Sequence, residues 1–231
     1  MYINNNSMAS NVANTLTSHY SNLATSTQRL SSGLRVNSAA DDAAGLAIRE
    51  LMRADIAALH QGVRNANDAI SLLQTADGAL GIIDEKLVRM KELAEQAATG
   101  TYDSTQRLMI ESEYQAMASE ITRIANSTDF NGIHLLNGNL SSDTHNGAGL
   151  TSTGKLKVHF GTANDSAEDY YYIQIGTSTA SALGVGNQAA DGSLAKTVST
   201  QEAAQEALVG SNNAIVSKDK IRAHLGALQN R

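Results

Sequence analysis

From Asn11 to Leu34 the apolar or tolerant positions fall at Val12, Leu16, Tyr20, Leu23, Thr27, Leu30 and Leu34, in steps of four and three. That stepping predicts a helix with one buried stripe, and it is the spacing of a coiled-coil seam. Turn-forming residues from Ser31 to Ser38 interrupt it. A longer stripe then reads Ile48, Met52, Ile56, Leu59, Val63, Ala66, Ile70, Leu73, Ala76, Leu80, Ile83, Leu87, Met90, Ala94, Ala97. Every step is three or four, which predicts one helix from about Ala43 to Thr99, roughly 85 Å long at 1.5 Å rise per residue. The carboxylates of Asp41 and Asp42 suit its N-terminus. A second seam, Ala44, Ala47, Leu51, Ala54 and Ala58, lies beside the first, so this helix is expected to pack against more than one neighbour. Gly45, Gly62, Gly78 and Gly81 each cost about 1 kcal/mol relative to alanine inside a helix. Solvent-side tolerance and close helix–helix approach account for them equally well.

Gly100 ends the long helix, and Asp103 or Ser104 is positioned to cap the next. Its stripe, Ile110, Tyr114, Met117, Ile121, Ile124, should fold back antiparallel onto the long helix after a short loop. The pattern then changes. Asn131-Gly132 and Asn137-Gly138 favour tight turns, and residues 139–154 are rich in Ser, Gly, Asn and Thr. Lys155 to Phe160 alternates polar and apolar, and Asp169 to Ile175 is β-branched and aromatic; with the loop between them they predict a β-hairpin. Residues 176–193 read as a loop with one helical turn near Ala180–Leu183. Ser199 with Glu202 has capping-box spacing and opens a last helix carrying Ala204, Leu208, Ile215, Ile221, Leu225 and Leu228 on one side.

Composition supports an extended helical object. Of 231 residues 35 are Ala, while Phe and Tyr together number nine and there is no Trp, so the core must be built from small and aliphatic side chains. Absence of Pro leaves long helices unbroken by the strongest breaker. Absence of Cys excludes disulfides, a thiol nucleophile and thiolate-bound metal. With 17 basic and 23 acidic residues, a net charge of −6 and no Lys/Arg cluster, neither nucleic acid nor anionic membrane is an expected partner. Met1 to Ser10 has no signal-peptide pattern, and no apolar run reaches membrane-spanning length.

No catalytic constellation emerges, so no enzyme, metal or cofactor is expected. The six histidines are scattered without metalloprotease spacing. Asp41 and Asp42 project about 100° apart on a helix and do not converge as an acid–base pair. Gly184-Val185-Gly186-Asn187-Gln188-Ala189 matches half of a dinucleotide fingerprint but opens no long helix.

The run Leu30-Ser31-Ser32-Gly33-Leu34-Arg35-Val36-Asn37-Ser38-Ala39-Ala40-Asp41-Asp42-Ala43-Ala44-Gly45-Leu46-Ala47-Ile48 resembles the N-terminal signature of bacterial flagellins. The resemblance continues through residues 64–71, 75–80 and 129–132 and resumes in Leu225 to Arg231, covering roughly 5–138 and 198–231. It implies a secreted subunit of the bacterial flagellar filament, exported through the flagellar type III channel, that self-assembles for motility with other copies of itself. The fold it implies is mainly α, an elongated rod of long coiled-coil-like helices with a small β-hairpin region at one end. Four segments follow: an N-terminal helix and linker (1–40), the long helix and return helix (41–138), a short variable region with the hairpin (139–197) and a C-terminal rod helix (198–231). Expected packing positions are Leu51, Met52, Ile56, Leu59, Val63, Ile70, Leu73, Leu80, Ile83 and Leu87.

By the same resemblance, Val88 to Ala94 is similar to the stretch recognised by host Toll-like receptor 5, with matching positions Arg89 and Leu93 and, on the following helix, Glu113. In the family the chain continues past the Gln229-Asn230-Arg231 motif into a terminal helix that binds the export chaperone, so that chaperone is a doubtful partner of this polypeptide. A hook–filament junction protein, which shares the terminal helices, and a coiled-coil binding adaptor are the alternative readings.

Overall fold

The computed structural model describes residues 6–147, 153–186 and 197–231. The turn-rich reading of 139–154 and the fingerprint-like run at 184–189 extend into residues 148–152 and 187–196, which lie outside the described residues. The chain is mainly helical and divides into two units, residues 1–59 and 60–231.

In the first unit, helix α1 (Ser7–Ser32) begins where the Asn6 side chain accepts the Ala9 N–H at 3.1 Å. It ends at Gly33, whose left-handed conformation lets its N–H donate to the Arg29 carbonyl at 2.9 Å. The chain turns and enters helix α2 (Ala43–Ala98), most of whose length belongs to the second unit. Asp42 Oδ1 accepts the Gly45 N–H at 2.9 Å, satisfying one of the free donors of the first turn.

In the second unit the remainder of α2 packs with α3 (Ser104–Ser127) and later with α5 (Gln201–Gln229) around one apolar core. The α2 positions Leu73, Ala76, Leu80, Ile83, Leu87, Met90, Ala94 and Ala97 are all buried, in unbroken steps of three and four. Asp103 caps α3 in a capping box with Gln106. Arg107 then donates to the Ala97 and Thr99 carbonyls, each at 3.0 Å, closing the open end of α2. Pairing of 97 with 107 and of 89 with 113 makes α3 antiparallel to α2.

Beyond α3 the chain forms three two-stranded antiparallel hairpins. Strands β1 (Asp129–Phe130) and β2 (Ile133–His134) are joined by Asn131 and Gly132, both at positive φ, the two-residue turn that an Asn-Gly pair favours. Strands β3 (His145–Asn146) and β4 (Thr153–Gly154) pair within a region whose composition suggested loop alone. Strands β5 (Leu156–His159) and β6 (Tyr170–Ile173) pair Leu156 with Ile173 and Val158 with Tyr171 on the alternate positions, and Leu156, Val158 and Ile173 join the core. Lys157, His159, Tyr170 and Tyr172 occupy the other register positions, with Lys157 Nζ 3.6 Å from the Tyr170 ring centroid. The hairpin seats on α2, where Asn65 Nδ2 donates to the His159 carbonyl at 2.8 Å. Buried Gly62 lies directly under the Phe160 backbone, so here a helical glycine serves close approach. Gly78 and Gly81 have open space where a Cβ would stand, and for them the solvent-side explanation holds.

A single helical turn, α4 (Ala180–Leu183), is capped by Thr179. Helix α5 departs from the sequence expectation in two respects. Its N-cap is Thr200, which accepts the Ala203 N–H, while Ser199 instead donates its own N–H to Thr197 Oγ1. Its buried face is Ala204, Ala207, Ser211, Ala214, Lys218 and Leu225, whereas Leu208, Ile215, Ile221 and Leu228 lie half-buried at the flanks. Small side chains thus line most of the buried face of α5, and the larger aliphatics flank it.

Gly62→Ala should lower stability by about 1–3 kcal/mol, because the new methyl overlaps Phe160 backbone, whereas Gly78→Ala should raise it by up to about 1 kcal/mol. Urea unfolding of the two variants measures both.

Candidate assembly surface

The segment that joins α1 to α2 is held by its own polar residues. The Asp41 carboxylate accepts the N–H groups of Asn37 and Ser38 at 3.2 and 3.1 Å and the Ser38 hydroxyl at 3.2 Å. Arg29 stands 3.6 Å from the same carboxylate, and Arg49 Nη1 donates to the Val36 carbonyl at 2.7 Å. The two backbone bonds to Asn37 and Ser38, helped by the serine hydroxyl and the Arg29 charge, hold the Asp41 pKa below the usual carboxylate range. Asp41 and Asp42 therefore have separate duties: the first fastens the turn and the second caps the helix. The sequence reading grouped both at the helix N-terminus, since nothing in the spacing tells a turn acceptor from a cap.

On either side of this turn the apolar positions are open. Val12, Leu16, Tyr20, Leu23 and Leu30 on α1 are exposed, as are Ile48, Leu51, Met52, Ile56, Leu59 and Val63 on α2; Leu16 is 53% and Ile56 56% accessible. Ile70 is half-buried, and Leu73, Leu80, Ile83 and Leu87 are buried. The ten expected packing positions thus separate along α2 into an uncovered group up to Val63 and a covered group from Leu73 onward. On α1, the hydroxyls of Thr15, Thr17, Thr25 and Thr27 donate to the carbonyls four residues earlier, at 2.8 to 3.1 Å. These four groups carry their hydrogen-bond partners with them, so covering the helix leaves their hydroxyls satisfied.

On the α2–α3 face, Arg89 bridges the two helices. Its Nε and Nη2 donate to Glu113 Oε1 at 3.0 and 2.8 Å, and Nη1 donates to Glu92 Oε2 at 3.0 Å. The hydrogen bonds to Glu113 and then Glu92 raise the Arg89 pKa further, and the guanidinium stays about half exposed. Leu93 differs from the expectation that grouped it with these charges. It is only 1% exposed and points into the core, because its position on α2 faces the interior rather than solvent.

Among the described residues no three of His, Cys, Asp and Glu gather as metal ligands, and no helix is long and apolar enough to cross a membrane. In the α1–α2 turn Asp41, Asp42 and Arg49 are committed to backbone and capping bonds, and the uncovered helix faces present hydrophobic rows. Such an arrangement suits helix-on-helix association.

Comparison with known proteins agrees with the helical frame. Residues 3–141 match the bacterial flagellin N-terminal helical region. The flagellar filament core protein flaB2 of Brachyspira hyodysenteriae is 38% identical over 231 residues, all of this chain and 78% of its own. The flagellin of Bacillus subtilis (strain 168) is 39% identical, matched over all of this chain and 79% of its own length. The crystal structure of Bacillus cereus flagellin superposes with a TM-score of 0.54 at 27% identity, covering 73% of this chain and 84% of that one. The chain belongs to the bacterial flagellins, a family of structural filament proteins rather than enzymes.

Because Asp41 has a depressed pKa in the folded chain, its contribution is complete above the ordinary carboxylate range and is lost as pH falls through the lower folded value. Acid titration followed by NMR should shift the Asn37 and Ser38 amide signals together with that protonation. Asp41→Asn should abolish the pH response of those two amides and weaken their protection from hydrogen exchange at neutral pH.

Proposed function

We propose that this chain is the repeating subunit of a flagellar filament, exported through the flagellar type III channel and assembled with copies of itself to serve motility. The observation that carries this reading is the row of uncovered apolar side chains on α1 and the start of α2, set at coiled-coil spacing in a family of filament proteins. Covering one such Leu, Ile or Met contributes roughly 1.5–3 kcal/mol. Eight of these are among the eleven exposed apolar residues named above on the two helices, the others being Val12, Tyr20 and Val63, so a helical partner of the same kind is the economical cover. On this reading residues 1–40 serve the centre of the filament, 41–138 and 198–231 its rod, and 139–197 its outer, variable part. The chain should self-associate with rising concentration in sedimentation experiments, and Leu16→Asp with Ile56→Asp should abolish that association. Both substitutions lie outside the buried core, so the melting temperature of the second unit should be unchanged. Undiminished association of the variant would refute the interface. Arrest of the parent chain at short oligomers would favour the hook–filament junction reading.

We also infer recognition of the α2–α3 face by host Toll-like receptor 5, through Arg89 and Glu113. Support comes from their position: both are exposed, and each fixes the other's orientation across two helices. Leu93 acts on this reading from within, by holding α2 in place. Exposed ion pairs contribute at most about 1 kcal/mol to stability, so Arg89→Ala with Glu113→Ala should leave folding intact. Affinity for the receptor ectodomain should fall at least tenfold in surface-plasmon-resonance measurements, and equal affinity would overturn the assignment.

A further inference from the structure

Helix α5 presents an unusually plain face to the core. Ala204, Ala207, Ser211 and Ala214 are all buried and all small. A slip of seven residues puts Ser211 where Ala204 stood and Ala214 where Ala207 stood, so close packing alone discriminates poorly between alignments. What breaks this repetition is Lys218, the next residue on the same face, which is 2% exposed.

The Lys218 ammonium is 2.6 Å from Asp84 on α2 and 2.7 Å from its neighbour Asp219. Both carboxylates reach water, with side chains 36% and 60% exposed, so the lysine stem lies over the apolar face while its head meets acids at the edge. One turn further, Arg222 binds Asp77 through two bonds of 2.6 and 3.1 Å. Along α2 the acids run from 77 to 84, and along α5 their partners run from 222 back to 218, as an antiparallel pair of helices requires. Sliding α5 by that heptad displaces both cations by roughly 10 Å. The ammonium is then carried away from Asp84 while still confined against apolar surface, an arrangement that carries a large desolvation penalty. Burial alone would lower the Lys218 pKa, but the bonds to Asp219 and Asp84 outweigh it and keep the group charged. Its contribution is present at neutral pH and is lost only as pH rises through the elevated lysine value.

We propose that the Lys218–Asp84 and Arg222–Asp77 pairs are a register key, selecting one antiparallel alignment of α5 on α2 among those its small-residue face would accept. A key of this kind need not stabilise the fold. Hydrophobic replacement of a buried ion pair is often neutral or favourable, and its distinctive consequence is loss of a unique alignment.

Because the chain has no cysteine, spin labels can be placed solely at Glu85→Cys and Lys220→Cys, two exposed positions on α2 and α5. Double electron–electron resonance on the labelled chain should give one narrow distance. Adding Lys218→Met and Arg222→Met should broaden it or introduce a second distance displaced by roughly 5–10 Å, one turn to one heptad, with a melting temperature equal to or above that of the parent. Arg123→Met, which removes the exposed Arg123–Glu120 pair within α3, should leave the distance unchanged. A single unshifted distance in the Met variant would overturn the proposal. So would failure of that variant to fold, which would make the pairs a stability element rather than a selector.

Discussion

The structure depends on one continuous stripe of apolar positions along α2. From Leu73 to Ala97 that stripe is the central surface on which α3 and α5 converge, and every step of three or four places another buried side chain there. The same stripe continues N-terminally through Val63, Leu59, Ile56 and Met52, where the side chains are exposed. A helix can extend beyond its tertiary partners because its backbone hydrogen bonds are internal, whereas its apolar face gains nothing until something covers it. One element therefore serves two purposes: it organises the core of the second unit and presents a hydrophobic row beyond it.

Polar groups divide their work in a related way. In the turn between α1 and α2 three charged side chains answer particular backbone groups: Asp41 takes the amides of 37 and 38, Asp42 the amide of 45, and Arg49 the carbonyl of 36. In the second unit the charges bridge helices, Arg89 to Glu113 across α2 and α3, Lys218 and Arg222 to the aspartates of α2 across α5. Local bonds shape the chain path, and bonds between helices specify which faces meet. The flagellin signature at residues 30–48 is dense in polar residues for the first reason, since a break between two helices leaves many backbone groups to satisfy.

Much of this was legible without coordinates. The existence of α1 and α3, the bounds of α2, a cap at Asp103 or Ser104, the Asn131-Gly132 turn, the hairpin from 156 to 173 and the single turn at 180–183 all follow from periodicity, capping residues and β-branched runs, although α1 begins at Ser7, four residues before its stripe suggests. The β3–β4 pair did not announce itself, because two-residue strands are too short to carry an alternation. On helix α5 the stripe holds for Ala204 and Leu225, but hydrophobicity also points to Leu208 and Ile215, where the structure instead buries Ala207, Ser211 and Ala214. Lys218 escaped for the same reason. A lysine in a helical pattern reads as solvent-facing, and only a carboxylate 134 positions earlier explains why this one is buried.

By itself the sequence determined what is periodic or adjacent: helices with continuous seams, a hairpin, and membership of the flagellins through a dense local signature. Tertiary structure decided everything that depends on residues distant in the chain meeting at one place. It placed the boundary between covered and open stripe near Val63, set Gly62 beneath Phe160, turned Leu93 inward, and aligned α5 through Asp77 and Asp84. The reason is physical: helix formation is written in neighbours three and four apart, whereas burial is a property of the surfaces that happen to converge, and no spacing within one segment encodes its partner.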